Sequence, residues 1–98
     1  DIQIAVEQAI YCGIIINELV TNALKYAFDE NGGRIDIKLS ETGGQKSMTV
    51  ADNGRGYDVD APITSFGLSL VQKLTEDELK GSISSTSKDG ITHILRWS

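Results

Sequence analysis

Glu18, Asn22, Lys25, Tyr26 and Asp29 recur at the three- and four-residue spacings that bring side chains to one face of a helix. With Glu18 at 0°, Asn22 falls at about 40°, Lys25 at about -20°, Tyr26 at about 80° and Asp29 at about 20°. A carboxylate on such a face can orient an attacking group, and an amide oxygen suits a hard cation such as Mg²⁺. An ammonium meets phosphate, and a phenol ring can lie against a base or sugar. The same five residues equally describe the solvated side of an amphipathic helix, although Asn22 is a mediocre mid-helix residue that Lys or Glu would improve on.

Two further segments carry chemistry. In Val50-Ala51-Asp52-Asn53-Gly54-Arg55-Gly56 an acidic residue closes an apolar run, and two glycines follow. Glycine lets backbone approach a flat ligand, and Asp52 can accept a hydrogen bond from an exocyclic amine. Asn-Gly is also a common hairpin turn, so both readings stay open. In Ser65-Phe66-Gly67-Leu68-Ser69-Leu70-Val71 a glycine opens a helix, whose first N–H groups and positive dipole end suit phosphate. The alternative is a plain Ser65 N-cap with Gly67 as a packing residue. Val59 stands where a dinucleotide fingerprint needs its third glycine, and no Gly-Lys-Ser or Gly-Lys-Thr occurs, so neither standard phosphate loop is present.

These residues need elements to hold them. Ile2, Ile4 and Val6 alternate with polar or small residues, the period of a short strand with one buried face. A helix is expected from about Glu7 to Phe28, with Ile16, Leu19, Val20, Ala23 and Ala27 on its core side and the polar stripe opposite. Asp29-Glu30-Asn31-Gly32-Gly33 stops it. Ile35, Ile37 and Leu39, then Met48 and Val50, predict two antiparallel strands about the turn Thr42-Gly43-Gly44-Gln45. Residues 53–65 read as a loop. Leu68, Val71, Leu74 and Leu79 predict a second helix from Phe66 to Leu79. Ile83, and then Ile91, Ile94 and Trp97, mark two closing strands around Lys88-Asp89-Gly90. The expected fold class is α+β, a two-layer sandwich in which helices cover one face of a mostly antiparallel mixed sheet.

Composition bounds the alternatives. The 98 residues fit one domain, 1–98, and 40% hydrophobic with 23% charged residues is ordinary globular usage. Nine Lys and Arg against fourteen Asp and Glu give a net charge of -5, which argues against nucleic acid as a partner. An anionic ligand must then be met by local donors. One Cys and one His exclude an internal disulfide and a structural zinc site, and suggest a reducing, cytoplasmic setting. No apolar run approaches the roughly 20 residues of a membrane span, so no direct membrane contact is expected. The chain begins with Asp1 and reads as a piece of something longer, slightly truncated at its start.

Taken in order, the three segments resemble a known family. Ile15-Ile16-Asn17-Glu18-Leu19-Val20-Thr21-Asn22-Ala23-Leu24-Lys25-Tyr26-Ala27-Phe28 is similar to the N box of sensor histidine kinases. Asp52-Asn53-Gly54-Arg55-Gly56 resembles their first glycine box, and Phe66-Gly67-Leu68-Ser69-Leu70-Val71 their second. The resemblance runs from about Ala5 to Trp97 and implies the Bergerat-type (GHKL) ATPase fold. It also implies roles for Mg²⁺-ATP as the bound cofactor. Asn22 would coordinate the metal, and Glu18 would be the catalytic base or polarising carboxylate. Lys25 would contact phosphate and Tyr26 the nucleoside. Asp52 would read the adenine amine, with Gly54 and Gly56 giving access to the base, while Gly67 and Leu68 would open the helix that supports the phosphates. Ser65 departs from the family, standing where many members carry a glycine, and the lid between Gly56 and Gly67 is short.

The resemblance implies the ATP-binding catalytic domain of a two-component sensor histidine kinase. Its partners would be a phosphoacceptor-histidine dimerisation domain of the same parent protein and a response regulator downstream. The chain has no phosphoacceptor helix, and His93 falls in the last predicted strand, so the fragment is expected to bind ATP without phosphorylating itself. An anti-sigma-type serine kinase shares the fold and a similar N box. A non-catalytic docking module of the same fold is the third reading, against which the presence of both Glu18 and Asn22 counts.

Overall fold

The computed structural model describes residues 4–24, 32–54, 66–87 and 89–98. Its first element is helix α1, Val6–Asn22. Ala5 is extended, and the first turn closes when the Ala9 N–H donates to the Ala5 carbonyl at 2.9 Å. The expected opening strand with Val6 on a buried face is therefore corrected. Val6 is a helical residue, 77% exposed, and its apolar neighbours recur at helical spacing as Ile10 and Ile14, both also exposed. Ile4 packs against the core without being part of a strand. Residues 1–3 and 25–31, which include the expected end of the helix and most of its stop, lie outside the described residues.

Strands β1 (Ile35–Thr42) and β2 (Gln45–Asp52) form the expected hairpin, with Thr42 facing Gln45. Gly43 and Gly44 have φ of 59° and 82°, the paired positive values that a two-residue hairpin turn needs and that glycine reaches without a Cβ penalty. Helix α2, Phe66–Lys73, continues into a π turn, Leu74–Glu78. There Thr75 is completely buried, and its hydroxyl is satisfied by donating to the Val71 carbonyl at 2.8 Å. Strands β3 (Ser82–Ser87) and β4 (Ile91–Trp97) close the chain, and the sheet order is β1-β2-β4-β3 with each neighbouring pair antiparallel.

One face of this sheet carries both helices. Met48 and Val50 on β2, and Ile91, His93, Leu95 and Trp97 on β4, point into it. They meet Cys12, Ile15 and Leu19 of α1, Val71 of α2, and Leu79 just beyond the π turn. Ile94, one residue out of phase, falls on the other face and is only partly buried. Burial of the Cys12 thiol raises its pKa and keeps it protonated.

Candidate functional site

The two helices and β2 bring their site residues to one end of the sandwich. Gln8, in the first turns of α1, donates from Nε2 to the Ser98 carbonyl at 3.3 Å, anchoring the start of α1 beside the finish of β4. Since β2 runs antiparallel to β4, the last turn of α1 lies toward the end where β2 finishes at Asp52. Helix α2 begins at that same end and runs back along α1. At its far end Glu78 lies beside the Tyr11 phenol and raises the phenol pKa.

Glu18, Asn22 and Gly67 meet where α2 begins. A Cβ built on Gly67 would lie 2.6 Å from Glu18 Oε2, so the absence of a side chain at Gly67 is what lets this carboxylate reach the point, while Asn22 Oδ1, at 3.9 Å, is in ordinary contact range. The polar stripe is not opposite the core, as the sequence suggested. Glu18 and Asn22 flank the buried stripe on the side facing α2 and are partly buried, while α1 presents Val6, Ile10 and Asn17 to solvent. The Asn22 amide nitrogen is buried with no hydrogen-bond partner among the described residues. An amide left in that condition costs about 1–3 kcal/mol unless a ligand or neighbour meets it.

Gly67→Ala tests this contact. Its clash is with the end of a flexible carboxylate side chain, so stability should change by less than about 1 kcal/mol in denaturant unfolding. Because the carboxylate must swing away, any reaction that uses Glu18 should lose activity while the fold persists.

Asp52 ends β2 on the helix-facing side. Its Oδ1 accepts from the Gly54 N–H at 2.9 Å and the Ile91 N–H at 3.3 Å, and among the described residues Oδ2 makes no hydrogen bond. The Asn53 side chain holds the other edge: Oδ1 accepts from the Arg34 N–H at 2.7 Å, and the Asn53 N–H donates to the Arg34 carbonyl at 3.1 Å. Asn53-Gly54 is thus not a hairpin turn. It extends the β1–β2 ladder and turns the chain away with the Asp52 carboxylate fixed in a local turn bond. Gly90 packs beneath, with φ of 116° and no room for a Cβ against the Asp52 carbonyl oxygen.

Leu68 is partly buried and packs against the core, so it supports the start of α2 through packing. Lys25, Tyr26, Gly56 and Ser65 lie outside the described residues. Sequence reading had not assigned His93 or Gly90 to this end of the molecule. Strict alternation through Ile91, His93, Leu95 and Trp97 was the available signal for His93. The imidazole is 7% exposed, Nδ1 is 2.7 Å from the Ser85 hydroxyl, and burial lowers its pKa while the charge of Asp52 partly opposes this.

Among the described residues no cluster of three or more His, Cys, Asp or Glu side chains could hold a metal unaided, and no helix is long and apolar enough to cross a membrane. Residues 8–97 match the family model described as histidine kinase-, DNA gyrase B-, and HSP90-like ATPase. The chain belongs to this family.

Among relatives within it, the chain is 34% identical over 80 residues to a blue-light-activated histidine kinase of Erythrobacter litoralis, spanning 76% of this chain and 23% of that protein. It is 35% identical over 75 residues to the sensor histidine kinase PdtaS of Mycolicibacterium smegmatis, spanning 71% of this chain and 15% of that one. The solved histidine kinase domain of a blue-light-activated kinase from Erythrobacter litoralis superposes with a TM-score of 0.84 at 28% identity, over 96% of this chain and 46% of that structure. The chain therefore spans less than half the length of each. The family is one of ATPases, these relatives are histidine kinases, and the chain has the α+β fold of a histidine kinase ATP-binding domain.

Proposed function

We propose that this chain binds Mg²⁺-ATP between α1, the end of β2 and the start of α2, and serves as the catalytic domain that passes the γ-phosphoryl group to a histidine on a separate domain. The observation that carries this reading is the meeting of Glu18, Asn22 and Gly67, with the Asn22 amide nitrogen buried and unpartnered among the described residues. The one amide oxygen of Asn22 is too little for an all-protein metal cage. It does fit Mg²⁺, which keeps several waters and takes one or two protein oxygens plus substrate phosphates. When bound, the metal supplies charge neutralisation across the phosphates.

The chain's own residues would do the rest. Asn22 would offer its amide oxygen to the metal, and Glu18 would hold or accept the proton near the attacking nitrogen. Asp52 would accept from the adenine amine through Oδ2, and Gly54 would leave the base room. Lys25 would meet phosphate, Tyr26 the nucleoside, and Gly56 the base. The acceptor histidine would belong to a dimerisation domain of the parent protein, with a response regulator beyond it and the reaction in the cytoplasm.

Calorimetric titration with ADP and ATP, with and without Mg²⁺, tests the reading. Wild type should bind both, with ATP gaining from the metal. Asn22→Asp should change the metal dependence by about tenfold or more while shifting metal-free ADP affinity less than about threefold. No binding by the wild type refutes nucleotide binding, and unchanged metal dependence removes Asn22 from the metal.

A further inference from the structure

His93 is the one histidine in the chain and is buried where an ordinary strand would place an aliphatic residue. Val50 faces His93 across β2 and β4, so Asp52, two residues further along β2, is its diagonal neighbour on the same helix-facing side. Diagonal neighbours in an antiparallel pair lie about 7–8 Å apart, well within reach of an unscreened charge. The imidazole cannot drift from this place, because Ser85 on β3 faces it and its hydroxyl is 2.7 Å from Nδ1. Nor can Asp52 move, with Oδ1 tied to the N–H groups of Gly54 and Ile91.

We propose that His93 is a positioning residue for the base-reading carboxylate of Asp52, through which a proton and a purine nucleotide exclude one another. This rests on the reading of Asp52 given above. A neutral imidazole leaves the negative charge of Asp52 available to an exocyclic amine. An imidazolium draws on the same charge, so the amine finds a weaker acceptor; conversely, an amine bound at Asp52 takes away the charge that favours the imidazolium. Coupling of this kind is reciprocal by thermodynamic necessity.

Among the described residues, the other charged groups do not share this position. On α1 they are Glu7 and Glu18, and on β2 Lys46 lies at the opposite end of the strand. Lys73 on α2 and Glu76, Asp77 and Glu78 in the π turn are exposed, as is Asp89 before β4; Arg96 points to the other sheet face, and β3 offers only hydroxyls and Ile83. The charge of Asp52 acts on the imidazole, favouring its protonated form. Because burial lowers the His93 pKa below its ordinary value of 6.5, the ring is neutral at pH 7 and the effect sets in on acidification.

With one histidine, its C–H resonances titrate without overlap in proton NMR, and the 98-residue chain can be followed from about pH 8 to about pH 5. Saturating ADP should move the His93 midpoint down by more than about half a pH unit, and ADP affinity should fall by about fivefold between pH 7.5 and pH 5.5. Asp52→Asn should lower the midpoint in the absence of any nucleotide, since the charge that favours the imidazolium is gone. His93→Gln should lose most of the decline in ADP affinity between pH 7.5 and pH 5.5, whatever its affinity at pH 7.5. If ADP binds at pH 7.5 but leaves the midpoint unmoved or raises it, or if Asp52→Asn leaves it unmoved, the coupling is refuted while the nucleotide site stands. If ADP does not bind at pH 7.5, both fall.

Discussion

Gly90→Ala is expected to destabilise the fold by about 2–5 kcal/mol, the combined scale of a strained backbone and an overpacked contact. Two observations compound. The φ of 116° at Gly90 is one that side-chain-bearing residues rarely adopt, and a Cβ there would overlap the carbonyl oxygen of Asp52. Neither can be relieved by rotating a side chain, since the obstacle is the main chain of β2. The contrast with Gly67→Ala is instructive: there the obstacle is the tip of Glu18, which can turn aside. Relief at Gly90 requires the start of β4 to separate from the end of β2, which breaks the bond from the Ile91 N–H to Asp52 and leaves the carboxylate held by the Gly54 N–H alone among the described residues. Denaturant unfolding should show the loss of stability. A chain with Gly90→Ala that unfolds like wild type would mean that β4 can start elsewhere.

Helix α1 and the β1–β2 hairpin were legible because their signals are local: a helical period, and two glycines between alternating runs. The spacing of Glu18 and Asn22 likewise placed them side by side. Which face of α1 is buried was not legible, because Val6, Ile10, Ile14, Ile15, Ile16 and Val20 distribute apolar residues around most of the helix. The choice of Ile15 over Ile14 is made by the sheet beneath and by α2. The π turn closes through the bond from the Leu79 N–H to the Leu74 carbonyl, five residues back, which no apolar period encodes. The neighbourhood of Asp52 and His93 arises from pairing between strands some forty residues apart in the chain, and its register is fixed by the whole sheet.

Asp52→Asn is expected to cost ADP affinity about 5- to 150-fold, equivalent to roughly 1–3 kcal/mol for an unsatisfied buried polar contact, and to erase preference for adenine over guanine. The carboxylate has two roles that its atoms divide between them. Oδ1 accepts from Gly54 and Ile91, and the introduced amide can keep both bonds by placing its own oxygen there. The fold should therefore change by less than about 1 kcal/mol. That orientation turns the amide NH₂ toward the base, so donor faces donor where adenine presents its amine. Guanine presents a carbonyl oxygen at the corresponding place and would gain an acceptor–donor match. Competition of ADP and GDP for the site measures both arms at once. An ADP affinity within about threefold of wild type would remove Asp52 from the base contact, because a group that reads an amine cannot lose its second acceptor without loss of binding.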